Sequence, residues 1–203
     1  TPAIKKYNGF IDKYIGDAVM ALFPTSAEDA VLAAVEMNKQ LAVYNSDEPT
    51  SKNDPVNMGV GIHIGQLVLG TIGRELRMET TVISDTVNAS ARLENLNKTY
   101  KTNVLISGAV RDELSPEIQS FCRLIDRTQV KGKVEFLDVC EVYLTDDVEV
   151  AEAKSKSRKV LTSIIENYYR GEIKLAKKKL GELEVDTKKD TVISFWKTRL
   201  KTE

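Results

Sequence analysis

The sequence predicts an α+β domain, a sheet with helices packed on one face, followed by a wholly helical tail. Three observations lead there. Strand-like apolar runs alternate with helical periodicity as far as about residue 145. Glycines punctuate the apolar runs at turn positions, as in Ile15-Gly16-Asp17. From about Asp146 the chain becomes charged and amphipathic, with no further strand pattern. Two segments follow: residues 1–145 as the domain and 146–203 as a C-terminal helical extension.

Composition narrows the function. A chain of 203 residues can bury one real core and still carry an appendage. A net charge of -1 offers no footing for nucleic acid or an anionic membrane, so neither is expected as a partner. No apolar run reaches the length of a membrane span, and no signal peptide is visible. Cys122 and Cys140 lack metal or redox spacing and read as buried, reduced thiols. A cytoplasmic location fits, so the sequons at Asn88 and Asn97 are not read as glycosylation sites.

Taken in order, residues 1–9 form a short lead-in that turns at Asn8-Gly9. Phe10 to Phe23, FIDKYIGDAVMALF, reads as two strands joined by a tight turn, with Asp17 at its tip and Lys13 on the incoming strand. Ser26-Ala27-Glu28-Asp29 starts a helix that runs to about Tyr44. Asn45 to Asp54 is a polar loop. Met58 to Ile64 is a strand, Leu67 to Leu69 a second short run, and Glu79 to Ile83 another strand. Asp85 caps a helix from Thr86 to about Leu96, on which Asn88 and Arg92 share a face. Val104 to Ile106 is a strand and Gly108 to Leu114 a short helix. Strands follow at Phe121 to Ile125 and Leu137 to Leu144, with a Lys131-Gly132-Lys133 turn between them. Helical patterns then occupy Val148 to Tyr169, Glu172 to Val185 and a last stretch containing Val192, Trp196 and Leu200, with Gly171 as a breaker.

Phe10 to Phe23, Gly61-Ile62-His63-Ile64-Gly65, Thr80 to Glu94 (TTVISDTVNASARLE) and Val130-Lys131-Gly132-Lys133 stand in one order, over roughly residues 7 to 144. Together they resemble the class III adenylate/guanylate cyclase catalytic domain. The resemblance implies a ferredoxin-like core. It also implies attack of a ribose 3′-hydroxyl on the α-phosphate of a nucleoside triphosphate, with pyrophosphate leaving. Residue by residue, Asp17 matches a metal ligand, Asn88 the residue that positions the ribose, and Arg92 the cation that stabilises the transferring phosphoryl group. Lys131 matches the lysine on the terminal phosphates. Two Mg²⁺ or Mn²⁺ ions are implied for the intact domain, held by hard carboxylate oxygens.

Lys13 and Thr81 match the base-reading pair. An ammonium suits the bare N1 of adenine and a hydroxyl can accept from its amino group, whereas guanine reverses both edges. The substrate implied is therefore ATP, with cyclic AMP as product and a role in signal transduction. A guanylate cyclase is the alternative that Lys13 disfavours. Family sites lie between two chains, which implies a homodimer, and an upstream regulatory domain would fit.

Departures from the pattern are Ser84 for the usual Gly, Thr80 for Tyr, and Ala89-Ser90-Ala91 where Leu-Ala-Ser is common. His63 reads as structural. The chain meets the hairpin almost at once after Thr1-Pro2, where the family carries a strand with its first metal aspartate and two helices. The expectation is an N-terminally truncated domain. That supports a further alternative, a catalytically incomplete module acting in nucleotide binding or regulation.

Overall fold

The computed structural model describes residues 1–47, 54–67, 69–72, 79–82, 85–129, 136–183 and 190–203, with the backbone alone at 69–72 and 79–82. The elements in order are α1 (Pro2–Lys6), β1 (Phe10–Ile15), β2 (Ala18–Leu22), α2 (Ala27–Asp47), β3 (Val60–Ile62), β4 (Leu69–Ile72), β5 (Glu79–Val82), α3 (Asp85–Tyr100), β6 (Val104–Ser107), α4 (Gly108–Asp112), α5 (Pro116–Gln119), β7 (Cys122–Gln129), β8 (Phe136–Val142), α6 (Val148–Tyr169), α7 (Ile173–Gly181) and α8 (Thr191–Thr202). The fold is α+β, with the ferredoxin-like core that the resemblance implies.

Among the described residues the strands form one four-stranded sheet, ordered β3-β6-β8-β7, and two hairpins, β1-β2 and β4-β5. β3 and β6 are parallel; β8 runs antiparallel to both its neighbours. Parallel neighbours need a crossover, and α3 within it packs on both strands. The contact is intimate because Gly61 carries no side chain. A Cβ there would lie 2.2 Å from the Glu94 backbone nitrogen and 2.3 Å from the Ser90 carbonyl oxygen.

Local chemistry accounts for most element boundaries. Pro2 opens α1, a helix the sequence reading took as lead-in, since five residues are too few to show a period. Gly16 sits at φ +63° in the first of two loop positions between Ile15 and Ala18, the left-handed backbone that so tight a hairpin requires. The Ser26 hydroxyl accepts from the Glu28 amide at 3.0 Å, capping α2 as its sequence suggested. Asp85 lies inside α3 rather than before it, and α3 continues to Tyr100, a turn past Leu96. Of Met58 to Ile64, only Val60–Ile62 pairs.

β7 is longer than expected. It runs to Gln129 because Phe136, Leu137 and Asp138 on β8 pair with its polar end. A bulge falls at Ile125, where the register passes from Leu124↔Cys140 to Asp126↔Val139. Every residue of β6, and of Cys122 to Asp126, is buried. This half of the sheet is therefore covered on both faces, where the sequence led us to expect one.

α6 supplies cover on β7, α7 packs on α6 and α8 on α7, and Trp196 of α8 meets Tyr168 of α6 edge-on. Their Leu161, Ile164, Ile165, Val192, Ile193 and Trp196 belong to the same core as Leu105, Ile106 and Val139 of the sheet. Cys122 and Cys140 are both buried and unbridged, and burial pushes both thiols up to about 12.

Charge as well as apolar contact seals this junction. The Arg123 guanidinium, on β7, donates to Glu141 at 2.8 Å and, through two nitrogens, to Asp190 at 2.6 and 2.8 Å. Asp190 caps α8, accepting also from the Ile193 amide at 3.3 Å. Lys154 on α6 donates to Glu141 at 2.6 Å and Asp146 at 2.5 Å. Burial alone would lower the Arg123 pKa, but Glu141 and Asp190 outweigh it and raise it. Burial would raise Asp190, yet its bonds to Arg123 hold it below the usual carboxylate range.

Removing one partner of a buried pair strands the other. Asp190→Ala should cost about 3–5 kcal/mol of unfolding free energy in urea titrations. Because the folded pKa is depressed, the contribution is present above the unfolded value of about 4 and is lost as pH falls through the folded value. The gap between wild type and variant should therefore narrow in acid. A cost below about 1 kcal/mol at pH 7 would mean that Glu141 alone satisfies the guanidinium.

Candidate functional site

α3 is a two-faced helix. Ala89, Leu93, Asn97 and Tyr100 are buried, while Asn88 and Arg92 are exposed. Two side chains pin the buried side to β3. The Ser90 hydroxyl donates to the Gly61 carbonyl at 2.8 Å, and the Asn97 amide donates to the Val60 carbonyl at 3.0 Å. With Gly61 admitting the helix backbone, the height of α3 above the sheet is fixed. Arg92 has a partner that the sequence reading missed: its Nε donates to Thr128 Oγ1 on β7 at 2.7 Å. No local signal links residues 36 positions apart.

The hairpin holds the other candidates. Asp17 is exposed in its two-residue loop. The β1 bulge falls at Asp12, since Ile11 pairs with Ala21 and Lys13 with Met20. The Asp12 side chain is 5% exposed, and its Oδ2 lies 3.4 Å from the ammonium of Lys13, itself 34% exposed. That oxygen accepts no hydrogen bond in the structure. Asp12 is thus a second partner the sequence reading passed over, a nearly buried carboxylate set beside the Lys13 ammonium.

Among the described residues the two groups of candidates sit on elements with different principal packing partners. The hairpin packs on α1, while α3 packs on β3, β6 and α8. Phe10, Tyr14, Ile15 and Val19 leave the hairpin with an exposed apolar surface. Thr81 lies in β5, opposite Gly70, and its side chain is outside the described residues. Lys131, Lys133 and Ser84 lie outside them altogether. His63 binds the Ser107 hydroxyl through Nδ1 at 2.8 Å, and that hydroxyl also accepts from the Val110 amide at the start of α4. This suits the structural part expected of His63.

Asp17 fits a metal as one ligand. Mg²⁺ commonly takes one or two protein carboxylates and fills its shell with water and substrate phosphate oxygens. No group of three or more ligating side chains is assembled among the described residues.

Residues 6–146 match the adenylate and guanylate cyclase catalytic domain. The chain belongs to that family. It is 42% identical over 146 residues to an adenylate cyclase of Anabaena cylindrica, a match spanning 69% of this chain and 29% of that protein. Among solved structures, a bacterial light-regulated adenylyl cyclase superposes with a TM-score of 0.62 at 22% identity, over 77% of this chain and 47% of that one. The guanylyl cyclase Cya2 superposes with a TM-score of 0.56 at 29% identity, over 70% and 73%. The chain spans less than a third of the curated relatives it matches.

The Gly61 approach gives a direct test of how α3 is seated. In Gly61→Ala the new methyl meets helix backbone, which cannot rotate aside as a side chain would. The expected cost is about 1–3 kcal/mol from overpacking, read as a lowered melting temperature. An unchanged melting temperature would show that α3 can ride higher on the sheet without penalty.

Proposed function

We propose that this chain is the catalytic domain of an adenylate cyclase, converting ATP to 3′,5′-cyclic AMP and pyrophosphate. The 3′-oxygen forms a bond to the α-phosphorus as the bond to the bridging oxygen of the β-phosphate breaks, and the hydroxyl proton is released. The observation that carries the reading is the pair of exposed polar side chains, Asn88 and Arg92, on one face of a helix whose opposite face is pinned to β3. Asn88 positions the ribose. Arg92 offers a fixed cation to charge that grows on the phosphoryl group, a role that costs about 10²–10³-fold in rate when a comparable donor is removed.

Lys13 donates to adenine N1, the Thr81 hydroxyl accepts from the 6-amino group, and Lys131 binds the terminal phosphates. Asp17 holds Mg²⁺ or Mn²⁺, which when bound activates the 3′-hydroxyl and neutralises phosphate charge. Likeness to a protein named adenylate cyclase supports ATP as substrate. A guanylate cyclase is the second reading, favoured by the likeness to Cya2 and opposed by Lys13.

A site shared by two copies of the chain is supported by the different packing partners of the hairpin and of α3, and by the exposed apolar surface beside Lys13. One copy supplies the hairpin groups and the other supplies α3. A two-fold homodimer holds two such sites.

The deciding assay is cyclic AMP formation from Mn²⁺-ATP across protein concentrations, beside Arg92→Ala. Wild-type activity should rise more steeply than protein concentration, and the variant should lose at least about 100-fold. A silent wild type, or a fully active Arg92→Ala chain, overturns the reading. Mixing Asp17→Ala with Arg92→Ala should partly restore activity, and no recovery counts against a shared site. GTP should be the poorer substrate, and Lys13→Glu should narrow the preference.

A further inference from the structure

Four donors converge on one buried carboxylate. Asp126, just after the β7 bulge, accepts from Tyr100 Oη at 2.5 Å, Tyr169 Oη at 2.8 Å, Arg199 Nη1 at 2.8 Å and the Arg127 amide at 2.7 Å. Tyr100 ends α3, Tyr169 ends α6, and Arg199 lies on the last turns of α8. Two of the three side chains come from beyond residue 146, where the family match stops.

The bulge makes room for this meeting. It leaves the Ile125 carbonyl off the ladder, and the indole N–H of the fully buried Trp196 on α8 donates to it at 2.8 Å. Arg199 is oriented by rings as well as by charge, with its guanidinium 4.5 Å from the Tyr168 centroid and 5.0 Å from that of Trp196. α8 grips the end of α3 twice more. The Thr191 hydroxyl donates to the Tyr100 carbonyl at 2.7 Å, and Phe195 meets the Tyr100 ring edge-on at 4.8 Å.

This grip is aligned with Arg92. Arg92, Leu96 and Tyr100 recur every four residues and so share a side of α3, and Asp126 and Thr128 are two apart and so share a side of β7. Arg92 reaches Thr128 as Tyr100 reaches Asp126. One side of α3 is thereby tied to one side of β7 at two points, about 12 Å apart along the helix axis.

We propose that α8 is a brace for α3: Arg199, through Asp126 and Tyr100, sets the placement of the helix that presents Asn88 and Arg92. Arg199, Asp126 and Tyr100 are positioning residues. None has to touch substrate. The inference rests on the reading of Asn88 and Arg92 as the groups that act on substrate. It gives the C-terminal helices a part in the reaction itself, beyond covering the sheet.

The test compares the full chain with Tyr100→Phe, Arg199→Ala and the double variant, by amide hydrogen exchange and by steady-state kinetics. Tyr100→Phe keeps the ring and removes only the bond to Asp126. Both single variants should speed exchange across α3 at least tenfold while β6 amides hold their wild-type rates. Both should lower kcat several-fold and leave the KM for ATP within twofold. The double variant should be little worse than the more severe single, because the two residues act through one carboxylate. Wild-type exchange in α3, or a rise spread evenly over α3 and β6, overturns the brace. Should the wild type make no cyclic AMP, the cyclase reading fails while the exchange arm still decides whether α8 holds α3.

Discussion

A guanidinium shut away from water sits at the junction of strand and helix, and much of the architecture answers to it. Arg123 on β7 cannot be left unpaired, since stranding a buried charge costs several kcal/mol. One partner, Glu141, comes from the neighbouring strand; the other, Asp190, comes from the cap of α8. Lys154 then balances the second oxygen of Glu141 and brings α6 into the same cluster. The helices beyond residue 146 are therefore bound into the sheet's electrostatics as well as its apolar core. A buried network of this kind specifies one docking geometry, because a shift of the helices would leave charges unsatisfied.

That geometry reaches the site through β7. The strand carries Arg123, the bulge at Ile125, Asp126 and Thr128 within six residues; the first two are bonded to α8 and its cap, the last two to α3. Helix α3 is held on its other side by Gly61 and Val60 of β3. Asn88 and Arg92 thus project from a helix fixed from two directions, the support that the transition-state contacts proposed for them would need. The hairpin that carries Lys13 and Asp17 is built differently. It is a two-stranded unit with exposed apolar residues, resting on a short helix. Such a hairpin gains from burial against another surface.

Local order was legible in the chain wherever the period was strong. Helix α6 spans Val148–Tyr169, the residues its apolar stripe predicts, and the β1-β2 hairpin turns at Gly16-Asp17. Weaker signals misled at the edges. Pro2–Lys6 is too short to show a period, and the polar run Asp126 to Gln129 hides a strand whose side chains are spoken for by tertiary partners. The motif marked Arg92 as a candidate, but its bond to Thr128, which lies past the strand expected at Phe121 to Ile125, arises only on folding.

By itself the sequence determined the family, the α+β order of elements and the positions of Lys13, Asp17, Asn88 and Arg92 on hairpin and helix. These depend on short-range spacing, which period and turn chemistry encode directly. The tertiary structure alone decided that α6 and α8 close over β7, and that Arg123 meets Asp190 across 67 residues. It also decided that Tyr100, Tyr169 and Arg199 share one carboxylate. Partners so far apart leave no period in the chain, and each charge read alone passes for a solvated one. What makes them partners is the loss of water around them, and that loss exists only once the helices have closed.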